Sequence, residues 1–221
     1  MANAPPQAAA RTMPLAQAVI LPQQVQCTRK HILMIVGSLR EDSLNLQLAQ
    51  EAAALLGERA KTTVLNYARL PWFNQNAEFP SPMEIQRVRI KVLTAHGLWF
   101  FTPEYNSSYP GVLKNLLDWL SRPLWECGIP PGTAIQGKKA AISGAGGQSA
   151  ASGARQKLTE LLKTIQAIPM EVPQTGVVLT PKSLARGRLV LSPQEQMALR
   201  NQAEAFLRCL EETGCPEAHS Q

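Results

Sequence analysis

Three short polar stretches of this 221-residue sequence each follow an apolar run, and each has residues suited to gripping a ligand. The first, Gly37 to Asn45, offers two hydroxyls, a guanidinium, an amide and several backbone N–H groups just ahead of a helical pattern. Donors around a concave backbone at a helix N-terminus hold phosphate, because unsatisfied N–H groups and the helix dipole both favour an anion. Ser38, Arg40, Ser43 and Asn45 are the candidates for that role. Glu41 and Asp42 would repel phosphate, so both are expected to face solvent. Taken alone, the stretch is also explained by a plain turn with Ser43 as an N-cap. The second stretch, Pro103 to Tyr109, separates an apolar run at Leu98 to Phe101 from a helical stripe of Val112, Leu113, Leu116, Leu117 and Leu120. The third, Ser143 to Ser149, is glycine-rich and lets backbone approach a ligand closely. It is no P-loop, since no Lys-Ser/Thr follows the glycines, and Ser149 occupies the place of the last glycine in a G-x-G-x-x-G fingerprint.

The elements that would position these stretches alternate in type. His31 to Val36 is apolar throughout, as a central parallel strand should be. A helix with Leu44, Leu48, Ala52, Leu55 and Leu56 on one face follows, and Gly57 stops it. Lys61 to Tyr67 reads as the second strand, and a Pro- and Asn-rich connection from Leu70 to Pro82 leads to a helix bearing Ile85, Val88, Val92 and Leu93. Thr102-Pro103 closes the third strand, because proline cannot donate to a sheet ladder. Pro110 suits the first helical position after it. Lys139 to Ser143 is the fourth strand, and a helix over about residues 149–167 turns Leu158, Leu161, Leu162 and Ile165 inward. Met170 to Val172 is a short fifth strand, with Gly176 to Leu179 as a possible extension. Ser192-Pro193-Gln194-Glu195 has the capping-box pattern and opens a last helix that buries Leu199, Ala203, Phe206 and Leu210. Five alternations of strand and helix imply right-handed crossovers and a three-layer α/β sandwich. In such open sheets, ligands bind beyond the carboxyl ends of the strands, where all three polar stretches stand.

The run T-P-E-Y-N-S-S-Y-P-G-V-L-K-N-L-L-D-W at Thr102 to Trp119 resembles the signature of the NADPH-dependent FMN reductase family, a branch of the flavodoxin-like proteins. G-S-L-R-E-D-S-L-N at Gly37 to Asn45 resembles that family's phosphate loop, and Gly137 to Gly147 resembles its next strand and loop. The three stand in the family's order and cover roughly residues 30–180. Two features depart from the pattern: His96-Gly97 stands where an acidic residue is common, and the residues before the first strand have no counterpart.

The resemblance implies a five-stranded parallel sheet of order 2-1-3-4-5, with FMN at the crevice between the first and third strands. It implies a flavodoxin-like FMN-binding domain over residues 30–213, flanked by a flexible tail at 1–29 and a short one at 214–221. Backbone groups of Glu104, Tyr105 and Asn106, and the Asn106 amide, would pair with the polar edge of the flavin ring. Pro103 would shape the exit from the strand, and Tyr105 would pack by the ring or face a subunit interface. Ser143, Gly144, Gly146 and Gly147 would form a wall of the site. The expected activity is hydride transfer from NADPH to flavin and onward to free flavin, a quinone, an azo dye or a metal ion. No side chain is assigned as acid or base. The alternatives are a flavodoxin-like electron carrier, and a flavin-free binding protein on the same fold. NADPH is not distinguished from NADH: Arg40, Arg155 or an arginine near Arg186 could select the 2′-phosphate. Relatives of this kind form homodimers or homotetramers.

Composition narrows the field. The formal charge is +6, from 22 basic and 16 acidic residues, with no acidic residue before Glu41 and a cluster of Lys182, Arg186 and Arg188. This fits ordinary solubility with a basic tail, or attraction of anionic nucleotides. Nucleic acid is disfavoured, because the aromatics follow strand and helix patterns and do not interleave with the basic residues. Cys27, Cys127, Cys209 and Cys215 are widely spaced and His31, His96 and His219 are scattered, so no zinc spacing occurs. Free thiols suit the cytoplasm. Met13 to Pro22 faintly imitates a signal peptide but is broken by Pro14, Gln17 and Pro22. His96 reads as a helix-end or surface residue, and Asp118 as a structural hydrogen-bonding group. Trp119 and Trp125 are either core or an exposed subunit contact.

Overall fold

The computed structural model describes residues 29–124 and 132–212. The tail at 1–28, Trp125, three of the four cysteines and the last residues lie outside that range. Six parallel strands and six helices follow in order: β1 (Lys30–Val36), α1 (Leu44–Leu56), β2 (Ala60–Val64), α2 (Met83–Thr94), β3 (Gly97–Thr102), α3 (Gly111–Leu120), β4 (Lys139–Gly146), α4 (Ser152–Thr164), β5 (Ile168–Pro169), β6 (Thr175–Val178), α5 (Pro181–Arg186) and α6 (Pro193–Glu211). The sheet order is β2-β1-β3-β4-β5, with β6 also pairing β4, so the expected 2-1-3-4-5 arrangement holds with one added strand.

Strand side chains alternate between faces, and the sheet has two cores because of it. Leu33, Ile35, Leu98, Phe100, Ala140 and Ile142 pack against α2, α3 and α4. Ile32, Met34, Trp99, Phe101 and Ala141 pack against α1 and α6. Helices therefore cover both faces, which explains why the strands read as continuous apolar runs.

Several local expectations shift. β2 ends at Val64, where pairing with Met34 stops, and Tyr67 turns back so that its hydroxyl donates to the Val36 carbonyl at 2.6 Å. Pro110 is the N-cap of α3, one place before the first turn, and its carbonyl accepts from Leu113 and Lys114. β4 runs on through Gly146, paired with β3 as far as Gly144 and with β6 from Ser143 to Gly146. The fifth strand position is split: β5 stands at Ile168–Pro169, and β6 takes up the edge of β4 further along. Pro169, which ends β5, and Pro173, between the two strands, have no N–H for a ladder. Trp119 is core, 1% exposed, with its indole N–H donating to the Pro71 carbonyl and its ring edge-on to Phe73. Asp118 pairs with Lys114 one helical turn away. His96 is exposed just after α2, where its Nδ1 accepts from the His31 N–H at 3.0 Å. The capping box at Ser192 and Glu195 forms as expected.

Candidate functional site

The carboxyl ends of β1, β3 and β4 meet at one crevice. Ser38, Arg40, Ser43, Asn45, Pro103, Glu104, Tyr105, Gly146 and Gly147 line a hollow of about 180 Å³, together with Leu44, Ala145, Leu179 and Leu184. Nine of the twelve residues singled out from the sequence thus surround one space, and Asn106, Ser143 and Gly144 do not border it.

At the β1–α1 turn, Gly37 donates to the Phe101 carbonyl and fixes the loop against β3. Ser43 caps α1, its hydroxyl accepting from Leu46 N–H at 3.2 Å. Among the described residues, the backbone N–H groups of Ser38, Leu39 and Arg40 have no partner, and neither do those of Leu44 and Asn45 in the first turn of α1. The Arg40 guanidinium is exposed and likewise unpaired among the described residues, while Glu41 and Asp42 are exposed and outside the lining. This is a concave set of donors at the positive end of a 13-residue helix, with no anion of its own to satisfy it.

Asn45 is buried and its amide faces β4: Nδ2 donates to the Ala145 carbonyl at 3.1 Å, and Oδ1 accepts from the Ala145 N–H at 2.9 Å. It therefore clips α1 to the end of β4, with one of the two Nδ2 hydrogens spent on that contact. The pairing gives Asn45 a structural role beside the expected contact with a ligand. Ser143, by contrast, does not border the crevice. Its hydroxyl is buried between the Trp99 indole, which donates at 2.9 Å, and the Gln202 amide oxygen, which accepts at 2.8 Å. Gln202 also bonds the Thr175 N–H and the Ile142 carbonyl, so this cluster ties β3, β4, β6 and α6 together. Gly144 packs against β3 and α4: a Cβ there would stand 2.7 Å from the Thr102 carbonyl oxygen and 2.8 Å from the Ala151 methyl.

Tyr105 and Ser108 exchange both backbone hydrogen bonds, closing a two-residue turn in which Asn106 and Ser107 have φ of 51° and 55°. Asparagine tolerates that left-handed conformation, which gives Asn106 a structural reason beside the expected ligand contact. Asn106 is exposed next to Tyr105, at the rim of the crevice. The Glu104 carboxylate accepts from the Ala154 N–H at 2.9 Å and from the Ser149 hydroxyl at 2.8 Å. Its pKa is lowered, mainly by the Ala154 bond and then by Ser149. Glu104 thus caps α4 and locks the loop after β3 to the loop after β4.

A second hollow of about 510 Å³ adjoins the first and shares Ser38, Arg40 and Tyr105 with it. Its walls include Leu39, Trp72, Pro110 and Val112, and Trp72 is 73% exposed. Trp72, Leu179 and Leu184 were not identified from the sequence, since nothing in the connection from Leu70 to Pro82 or in the segment after β6 signals a return to the crevice. Among the described residues no group of His, Cys, Asp or Glu could hold a metal ion, and no helix is long and apolar enough to cross a membrane.

The NADPH-dependent FMN reductase family profile matches residues 31–180, which include every residue that frames the crevice except Leu184. The chain belongs to that family. It is accordingly an FMN-dependent NAD(P)H oxidoreductase. This FMN reductase family member is 32% identical over 178 residues to an NAD(P)H-dependent FMN reductase of Pseudomonas aeruginosa, an alignment covering 79% of this chain and 92% of the relative. It is 40% identical over 122 residues to a 2-hydroxy-1,4-benzoquinone reductase of Burkholderia sp, covering 53% of this chain and 66% of that one. Among solved structures it resembles FerB, a flavoenzyme NAD(P)H:(acceptor) oxidoreductase of Paracoccus denitrificans, with a TM-score of 0.73, 29% identity, and 84% of this chain and 100% of that one covered.

Proposed function

We propose that the crevice between the ends of β1, β3 and β4 holds FMN, and that the adjoining aromatic hollow admits a quinone as the final electron acceptor. The observation that carries this reading is the set of backbone donors at Ser38, Leu39, Arg40, Leu44 and Asn45, unpaired among the described residues, beside an Arg40 side chain likewise unpaired there, opening directly onto a hollow walled by Trp72 and Tyr105. The donor set fits the cofactor's phosphate, because several N–H groups and a guanidinium can surround one dianion. Ser43 and Asn45 contribute by holding that loop in shape, as cap and clip. Pro103, Glu104, Tyr105, Gly146 and Gly147 would flank the rest of the cofactor, and Asn106 stands at the rim.

Bound there, FMN would supply the hydride-accepting and two-electron-donating chemistry that links nicotinamide to acceptor. The protein's share is position and electrostatics. Arg40 and the α1 N-terminus offset negative charge. Glu104, ionised and committed to Ala154 and Ser149, holds two of the three loops in register. Trp72 and Tyr105 offer flat apolar surface for a planar acceptor, and stacking of that kind orients a substrate for transfer. Quinones fit this surface better than hydrated metal ions do, and relatives named for quinone reduction support the choice. A homodimer or homotetramer in the cytoplasm belongs to the same reading, and sedimentation analysis would measure the assembly.

The test is steady-state NADPH oxidation against a panel of 1,4-benzoquinone, free FMN and an azo dye. Benzoquinone is expected to give the highest kcat/KM, and Trp72→Ala should raise its KM roughly tenfold, the ~1.4 kcal/mol of one aromatic contact. Equal kcat/KM for all three acceptors, unchanged by Trp72→Ala, would contradict the assignment.

A further inference from the structure

α5 is a six-residue helix, and its ends are firmly held. Thr180 caps it by accepting from Ser183 N–H, and Gly187 ends it at a φ of 59°. Gln47 of α1 grips the exit, donating to the Gly187 carbonyl and accepting from the Leu189 N–H, both at 2.8 Å. The segment is therefore anchored to the same helix whose N-terminus opens onto the crevice. On one side Leu184 lines that crevice. On the other, Lys182, Arg186 and Arg188 converge on a separate hollow of about 310 Å³ with Val190, Leu191 and Glu51.

None of the three cationic side chains makes a hydrogen bond or ion pair within the described residues, and all three residues are exposed. Three cations and one carboxylate leave the hollow net positive. Like charges gathered in this way repel one another, a cost that the protein recovers only when an anion sits between them. Val190 is 64% exposed at the same place, an apolar surface beside the charges. An occupant with a phosphate, a flat apolar ring system and hydroxyls for Glu51 matches this combination.

We propose that this hollow receives the 2′-phosphoadenosine end of NADPH and selects it over NADH. The inference rests on the proposed flavin site, because Leu184 and Arg186 lie two positions apart on one helix. The two hollows thus share one short helix, with Leu184 bordering the first and Lys182 and Arg186 the second. The other arginines considered from the sequence are less suited. Arg155 is half-buried and donates to the Gln174 side chain, and Arg40 borders the phosphate crevice itself.

Calorimetric titration of the flavin-loaded protein with 2′,5′-ADP and with 5′-ADP tests this directly. The wild-type chain should bind 2′,5′-ADP at least about tenfold more tightly, as charge-assisted bonds to an added phosphate require. In a Lys182→Gln/Arg186→Gln/Arg188→Gln variant the two ligands should bind within about twofold of each other, and the NADPH-to-NADH ratio of kcat/KM should fall in proportion. The three side chains are exposed, so a melting curve like that of the wild type is expected. The single variant Arg186→Glu should move both readouts the same way. No preference for 2′,5′-ADP in the wild type, or a preference that survives the triple substitution, would overturn the proposal. A preference abolished by Arg40→Ala and untouched by the triple change would overturn it as well. The binding arm involves no electron transfer, so failure of flavin reduction with 2′,5′-ADP selectivity intact would count against the proposed function and leave this surface standing.

Discussion

Replacing Asn45 with aspartate separates a residue that holds the site together from one that touches the ligand. The two side chains have the same shape, but the carboxylate cannot donate. It would keep an acceptor for the Ala145 N–H and set a second oxygen against the Ala145 carbonyl, where the amide now donates at 3.1 Å. One buried acceptor loses its partner, at about 1–3 kcal/mol. Burial of the new charge adds to this, since desolvation raises a carboxyl pKa. The sum is about 3 kcal/mol at pH 8, a large part of the ~5–15 kcal/mol that typically keeps a domain folded. The pH dependence has a definite sign. A carboxyl whose folded pKa is raised binds more protons folded than unfolded, so the variant should recover stability as pH falls toward 5. A protonated carboxyl can donate again to Ala145. Guanidinium unfolding of the flavin-free protein at pH 8 and pH 5.5 gives the stability, and quenching of flavin fluorescence gives the FMN affinity. Stability and affinity should fall together at pH 8 and recover together at pH 5.5. Unchanged stability with lost FMN binding would mean that Asn45 is a direct ligand, and the clip between α1 and β4 would be refuted.

Two further substitutions probe the walls of the crevice. Gly144→Ala puts a methyl 2.7 Å from the Thr102 carbonyl oxygen, part of a strand that cannot yield, so a loss of about 1–3 kcal/mol is expected, read as a melting temperature lower by roughly 2–10 °C. An unchanged melting temperature would show that β3 and α4 have room to part. Glu104 has a lowered folded pKa, so its contribution is complete above the ordinary carboxyl value of 4.5 and is lost as pH falls below it toward the folded value. Glu104→Gln should flatten that acid limb of the stability curve and loosen the loop after β4, seen as faster amide exchange at Ala154. An identical acid limb in the variant would remove Glu104 from the account.

The parts of the fold that were legible in the sequence are those where local chemistry and tertiary packing agree. The apolar strands, the Ser43 cap and the capping box at Ser192 each say locally what the fold requires. The end of β4 was not legible, because Ser143 to Gly146 looks like a glycine-rich loop until pairing with β3 and β6 draws it into the sheet. The Asn45 clip is hidden for the same reason: its partner, Ala145, is a hundred residues away, and backbone partners carry no sequence signal. Trp119 looked open to either a core or a contact role until Phe73 and Pro71 were found to cover it. α5 could have been found, since Thr180-Pro181 and Gly187 are ordinary start and stop signals for a helix. The three loops were recognisable in order, but not which of their residues face the space between them.

The most direct test of the central claim is anaerobic mixing of the FMN-loaded protein with one equivalent of NADPH, followed by benzoquinone, with absorbance followed at the flavin band. The account predicts prompt bleaching by NADPH and full return of the yellow colour on adding the quinone. A chain that retains no FMN, or a bound flavin that stays oxidised in the presence of NADPH, would contradict it.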